Sequence, residues 1–104
     1  MEVSQTIEAN VRGAYSAQDA DAVLAALASM QEPPRAPEWA ATRTRVQIAA
    51  LMIAGGDIEL LHKAIKQSQV DWRDTLMAAG LGNSNWPSVA SSAGFVIPRV
   101  AREP

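Results

Sequence analysis

The sequence predicts an all-α protein, a single compact bundle of five to six short helices followed by an extended C-terminal tail. Three observations predict it. Twenty of the 104 residues are alanine and another thirty are larger apolar or aromatic side chains, and alanine forms helix readily because it loses no side-chain entropy. Apolar residues recur at three- and four-residue spacing through most of the chain, the signature of one helical face turned inward. Serine, aspartate, glycine and proline stand where those stripes begin and end, and no strand pair or fixed-period repeat is visible. The length fits one core, so residues 1–93 read as one helical domain, with a proline-rich connection at 31–37 inside it. Residues 94–104 read as a tail.

The first helix is expected after Ser4, with Ile7, Val11, Ala14 and Tyr15 on one face and Gly13 weakening its end. Ser16-Ala-Gln-Asp19 has the form of a capping box and opens a second helix. Val23, Leu24, Leu27, Ala28 and Met30 form its stripe. Pro33, Pro34 and Pro37 then interrupt helix, since each removes a backbone donor and disfavours helix just upstream. Pro37 also suits the first turn of a third helix. From Glu38 to Ala54 that helix carries the stripe Trp39, Thr42, Val46, Ala49, Ala50, Ile53 and a second face of Ile48, Leu51 and Met52. Its last turns are therefore expected to be buried almost all round, at the centre of the bundle.

Gly55-Gly56 stops the central helix, and Asp57 caps a fourth with Ile58, Leu61, Ala64 and Ile65 inward and Leu60 widening the face. Asp71-Trp72-Arg73-Asp74 resembles a second capping box and opens a fifth, whose apolar positions are Leu76, Met77 and Ala79, with Gly80 as its stop. A last turn of helix is expected from Trp86-Pro87 to Ser92. Beyond Gly94 two prolines keep the chain extended.

Composition excludes several functions. There is no cysteine, hence neither a disulfide nor a thiolate metal site. The opening residues lack the basic start and apolar run of a signal peptide. The longest nearly unbroken apolar stretch, Ile48 to Ala54, is far short of the roughly 20 residues that span a bilayer. A cytoplasmic protein with no membrane role is expected. With a net charge of −2 the electrostatic footprint of a nucleic-acid binder is missing.

The chemical candidates give way to structural readings one by one. His62, the single histidine, stands a turn from Glu59 and Lys66 with no nucleophile or ligand set beside it. Asp57, Asp71 and Asp74 sit where helix starts need acceptors. Gly55-Gly56-Asp57 lacks the spacing and the lysine of a phosphate loop. Ser84, Ser88, Ser91 and Ser92 lack a Gly-x-Ser-x-Gly elbow. No catalytic residue, cofactor or metal is predicted.

Arg43-Thr-Arg45-Val-Gln47, Gly56-Asp57-Ile-Glu-Leu-Leu61 and Asp71-Trp72-Arg73-Asp74-Thr-Leu76 together resemble a loose group of small, functionally uncharacterised bacterial helical proteins. The resemblance spans residues 38 to 87 at most, and its motifs are mainly caps and core positions. It implies a helical fold and a bacterial source, and no activity, cofactor or partner comes with it.

The function expected from the sequence is that of a small protein–protein interaction or regulatory module without catalytic activity, its partner another protein or a second copy of itself. The expected contact surface is Trp72 and Arg73 at a helix start, with Phe95 and Ile97 of the tail. Trp and aliphatic area would be buried there, and Arg73 would orient the partner through a carboxylate. One alternative is helix-turn-helix binding of nucleic acid through helices 58–69 and 72–79, against which Asp71 and Asp74 flank Arg73 and repel phosphate. Another is a small ligand or an enzymatic site in a pocket between helices.

Overall fold

The computed structural model describes residues 5–31 and 39–95. These hold six helices: α1 (Gln5–Ala14), α2 (Ala17–Ala28), α3 (Trp39–Ala54), α4 (Ile58–Val70), α5 (Trp72–Ala79) and α6 (Trp86–Ser92). No strand occurs among the described residues. The proline segment, the opening of the third helix at Pro37 and the tail beyond Phe95 lie outside the described residues.

Helix α3 is the centre. It packs against α1, α4 and α5, while α2 packs across α1 and α4. Val46, Ile48, Ala49, Ala50, Leu51 and Ala54 are all buried; at about 100° of turn per residue these positions cover almost the whole circumference. Around α3 the core collects Ile7, Val11 and Tyr15 from α1 and the residue after it, Val23 and Leu27 from α2, Leu61 from α4, Leu76 from α5, and Leu81. Trp39 is buried in this cluster, and Trp72 and Trp86 pack half-buried against it.

Four stripe positions turn out differently from the sequence expectation: Ala14 on α1 and Leu60 on α4 are exposed, as are two others. Ile53, expected on the inner face of α3, is 38% exposed, and Met77, expected on that of α5, is 72% exposed. Around Ile53 the facing positions are Ala64 and Ala78, too short to cover it. On α5 the inward place is taken by Thr75, buried beside Leu76. Its hydroxyl reaches the Asp71 carbonyl at 3.4 Å, so a polar residue enters the core with its oxygen partnered. Helix α1 ends at Ala14, the residue after Gly13.

The starts follow the expected chemistry. The Ser16 hydroxyl accepts the Asp19 N–H at 3.2 Å. Asp57 Oδ1 accepts those of Glu59 and Leu60 at 2.9 and 3.0 Å, and Asp71 Oδ1 accepts that of Asp74 at 3.2 Å. Asp71 also donates its own N–H to the Gln67 carbonyl at 2.8 Å, closing α4. One residue thus ends one helix and begins the next, and its N–H is already engaged where a full capping box would use it.

Helix α5 stops at Gly80, which takes a φ of +80°. The Leu81 N–H bonds back to the Leu76 carbonyl and the Gly80 N–H to that of Met77, the paired pattern in which a left-handed glycine satisfies the last carbonyls. Helix α6 ends the same way. Gly94 has a φ of +94°, and the N–H groups of Phe95 and Gly94 bond back to Ala90 and Ser91.

Helix α2 has no such glycine, and side chains of α3 complete its end. Gln47, 2% exposed, donates from Nε2 to the Leu27 carbonyl at 3.1 Å, and Arg43 donates from Nη2 to that of Ala28 at 3.2 Å. Arg45 points elsewhere. Its Nε and Nη2 bond the Leu81 carbonyl at 2.9 and 2.6 Å, and Nη2 also reaches that of Asn83 at 3.2 Å. Residues 43 and 47 share a helix face, and residue 45 lies about 200° away from 43. One short stretch of α3 therefore fastens the end of α2 on one side and the turn after α5 on the other. Cationic groups at these carbonyls also oppose the negative end of each helix dipole. A further clamp joins α4 to Gln31, the first residue of the proline-rich connection, where the Gln69 amide both accepts the Gln31 N–H and donates to the Gln31 carbonyl, each at 2.9 Å.

Tyr15 carries the opposite of a satisfied polar group. Its hydroxyl is buried with no hydrogen-bond partner among the described residues. Burial raises its pKa above the ordinary tyrosine value and the nearby negative charge of Asp57 raises it further, against a smaller lowering by the Gly56 backbone, which lies near the hydroxyl without forming a well-aligned hydrogen bond.

Three outcomes follow for stability, read by urea unfolding. Gln47→Met, close in volume but without the donor, costs about 1–3 kcal/mol, whereas Glu8→Gln, which weakens the exposed Glu8–Arg12 pair at 3.0 Å, changes stability by less than about 0.5 kcal/mol; equal effects would contradict the α3 anchoring. Leu76→Ala costs about 2–5 kcal/mol, and Met77→Ala less than about 0.5 kcal/mol; the reverse order would restore the sequence phase of α5. The native state holds the Tyr15 proton to higher pH than the unfolded chain does. The stability tied to it is therefore complete below pH about 10 and falls as pH rises through the folded-state value. Tyr15→Phe flattens that alkaline decline and leaves neutral-pH stability equal or higher, and an unchanged alkaline slope would show that Tyr15 is not its source.

Candidate functional site

The tryptophan surface expected from the sequence is largely used within the fold. Trp72 lies half-buried against the core, and the exposed Arg73 guanidinium stands 5.3 Å from its ring centroid, within the range of a cation–π contact. Phe95, the residue after the left-handed Gly94, also packs against the core. Such a hydrophobic contact commonly accompanies this type of helix end. Ile97 lies outside the described residues. Trp86 has its own cation partner, with Arg45 Cζ 5.6 Å from its centroid. Burial lowers the pKa of Arg45, and the guanidinium remains charged, as arginine does in proteins.

A different surface emerges between α3, α4 and α5, a hollow of about 270 Å³. Each helix contributes for a local reason. Ile53 stands in the last turn of α3, just before Gly55-Gly56 ends that helix. Leu60 stands in the first turn of α4, fixed by the Asp57 cap that takes up the Leu60 N–H. Ala64 and Thr75, both buried, form the floor, and Ile53, Leu60 and Ala78 form exposed apolar sides. Lys63 and Gln67 of α4 and Asp74 of α5 supply the polar edge.

The exposed large apolar residues identified in the structure are Ile53, Leu60, Val70 and Met77. Two of them flank this hollow. Helical phase places Val70 on the face of Lys63, two turns before it, and Met77 within about 60° of Asp74. Chemically the arrangement can bury aliphatic side chains and pair one cation and one anion.

Little elsewhere among the described residues supports chemistry. His62 is exposed on α4, and no group of three or more His, Asp or Glu residues there could hold a metal ion. A broad shallow depression of about 430 Å³ lies over Pro87, Ser88, Ser91 and Ser92, with no base beside the serines. No described helix is long and apolar enough to cross a membrane.

Sequence periodicity puts Leu60 at the margin of the inner face of α4, and it does not show that the facing residues are too small to cover it. No protein-family model matches the chain, and comparisons with curated proteins and with solved structures find no match.

Met77→Gln and Leu60→Gln should leave the helical circular-dichroism spectrum unchanged, since both side chains are in contact with water. A collapse of helicity would mean that this face belongs to the core.

Proposed function

We propose that this chain is a small, cytoplasmic, non-catalytic protein-interaction module, and that its contact face is the α3–α4–α5 hollow. The observation that carries the proposal is a recess between three helices with the exposed aliphatic side chains of Ile53 and Leu60 on its sides and Lys63, Gln67 and Asp74 at its edge. Large apolar side chains around a partly buried hollow bordered by polar groups are the common make-up of a binding surface. The cysteine-free composition supports the cytoplasmic placement. This face is displaced along α5 from the Trp72 and Arg73 surface expected from the sequence, although the two adjoin.

The test is site-specific photo-cross-linking in the native cell. A photoreactive residue replacing Leu60 should capture a protein chain that the same residue at Glu8, on α1, does not. Equal capture from both positions, or none from either, would overturn the proposal. Salt-sensitive DNA retention lost on Arg73→Glu would overturn it in favour of nucleic-acid binding.

A further inference from the structure

We infer that α6, together with Phe95, is a hinged flap that swings away from a folded α1–α5 body and brings a latent apolar face into water. This flap lies in a different part of the molecule from the hollow, and its opening does not depend on what the hollow binds.

Helix α6 is weakly made and weakly held. Its seven residues fall well short of the roughly 12–15 at which an isolated helix is even marginal in water, so its tertiary contacts decide whether it forms. Its start lacks the side-chain cap that α2, α4 and α5 have, since the Asn85 side chain takes up no N–H of the first turn. Ala90 is its one buried residue, and a methyl group removes little area from water. Trp86, Val89 and Phe95 are only partly buried against the core, and no other described helix packs extensively against α6. Elements with so few buried apolar contacts open without global unfolding.

Arg45 marks the joint. From α3 it reaches the Leu81 carbonyl twice, at 2.9 and 2.6 Å, and that of Asn83 once, at 3.2 Å, and its guanidinium stands 5.6 Å from the Trp86 ring centroid. The two short bonds keep Leu81 on the body, whereas the longer bond and the ring contact latch the flap. The hinge falls between them, at Gly82. Opening exposes Ala90 and the inner sides of Trp86, Val89 and Phe95, with the part of the core that they cover.

Because the chain has no cysteine, a single introduced thiol can report the opening. Ala90→Cys and Ala49→Cys place it at fully buried positions on the flap and on the body. The thiol at position 90 should react with an aromatic disulfide reagent about a hundredfold faster than that at position 49, as a locally opening element does beside one exposed only by global unfolding. Adding Trp86→Leu should accelerate the reaction at position 90 by about two- to fivefold or more, the worth of the lost cation–π contact, and leave position 49 unchanged. Native-state hydrogen exchange of the unsubstituted chain checks that the introduced thiol does not itself loosen the helix. The amides of Val89, Ala93 and Phe95, bonded to the carbonyls of Asn85, Val89 and Ala90, should share one opening equilibrium, far more populated than that of the α3 amides. Equal reaction at positions 90 and 49 would overturn the inference, as would a Trp86→Leu effect that is absent or the same at both. So would α6 amides that exchange only together with those of α3.

Discussion

The structure depends on what three polar side chains of a buried helix do with other helices' carbonyl groups. Gln47 is buried in α3, and Arg43 and Arg45 stand half-buried in the turn before it, where an unpaired polar group would be costly. Each donates to a main-chain carbonyl near a helix end: Leu27 and Ala28 on one side, Leu81 and Asn83 on the other. Burial and hydrogen bonding thereby become one event. The donors are satisfied only if α2 and the turn after α5 come to the right places along α3, which gives an alanine-rich core the register that small, interchangeable side chains supply poorly.

That thin core also explains the surface. Where α3, α4 and α5 meet, the facing residues are Ala64, Thr75 and Ala78, and they leave a recess with Ile53 and Leu60 at its sides. The same shortage of bulk that makes α3 rely on hydrogen bonds leaves aliphatic side chains without cover inside one chain. Helix α6, which has few contacts with the other helices, is attached by different means: Ala90 in the core, Val89 near Gly80, and the Arg45–Trp86 contact.

Helix identity and order were legible because they are written locally. Asp57, Asp71 and Ser16 are caps whose partners lie two or three residues away, and Gly55 and Gly80 are stops whose left-handed conformation excludes most other residues. The Trp72 and Phe95 assignments show where local reasoning ends. Both were candidates for a partner surface, and whether an aromatic residue covers its own core depends on neighbours distant in sequence. The roles of Arg43, Arg45 and Gln47 are not legible in the sequence, because their acceptors are carbonyls 15 to 38 residues away and any residue type can supply a carbonyl. The hollow was hidden for a related reason, since a recess is made by what facing helices lack.

Native-state hydrogen exchange on the Arg45→Met variant tests the anchoring role of α3 most directly. If Arg45 fastens the turn after α5, the amides of Leu81 and of α6 lose protection while those of α1 and α2 keep theirs, because the Gln47 and Arg43 bonds remain. Uniform acceleration throughout the chain, or unchanged protection at Leu81 and α6, would contradict the account.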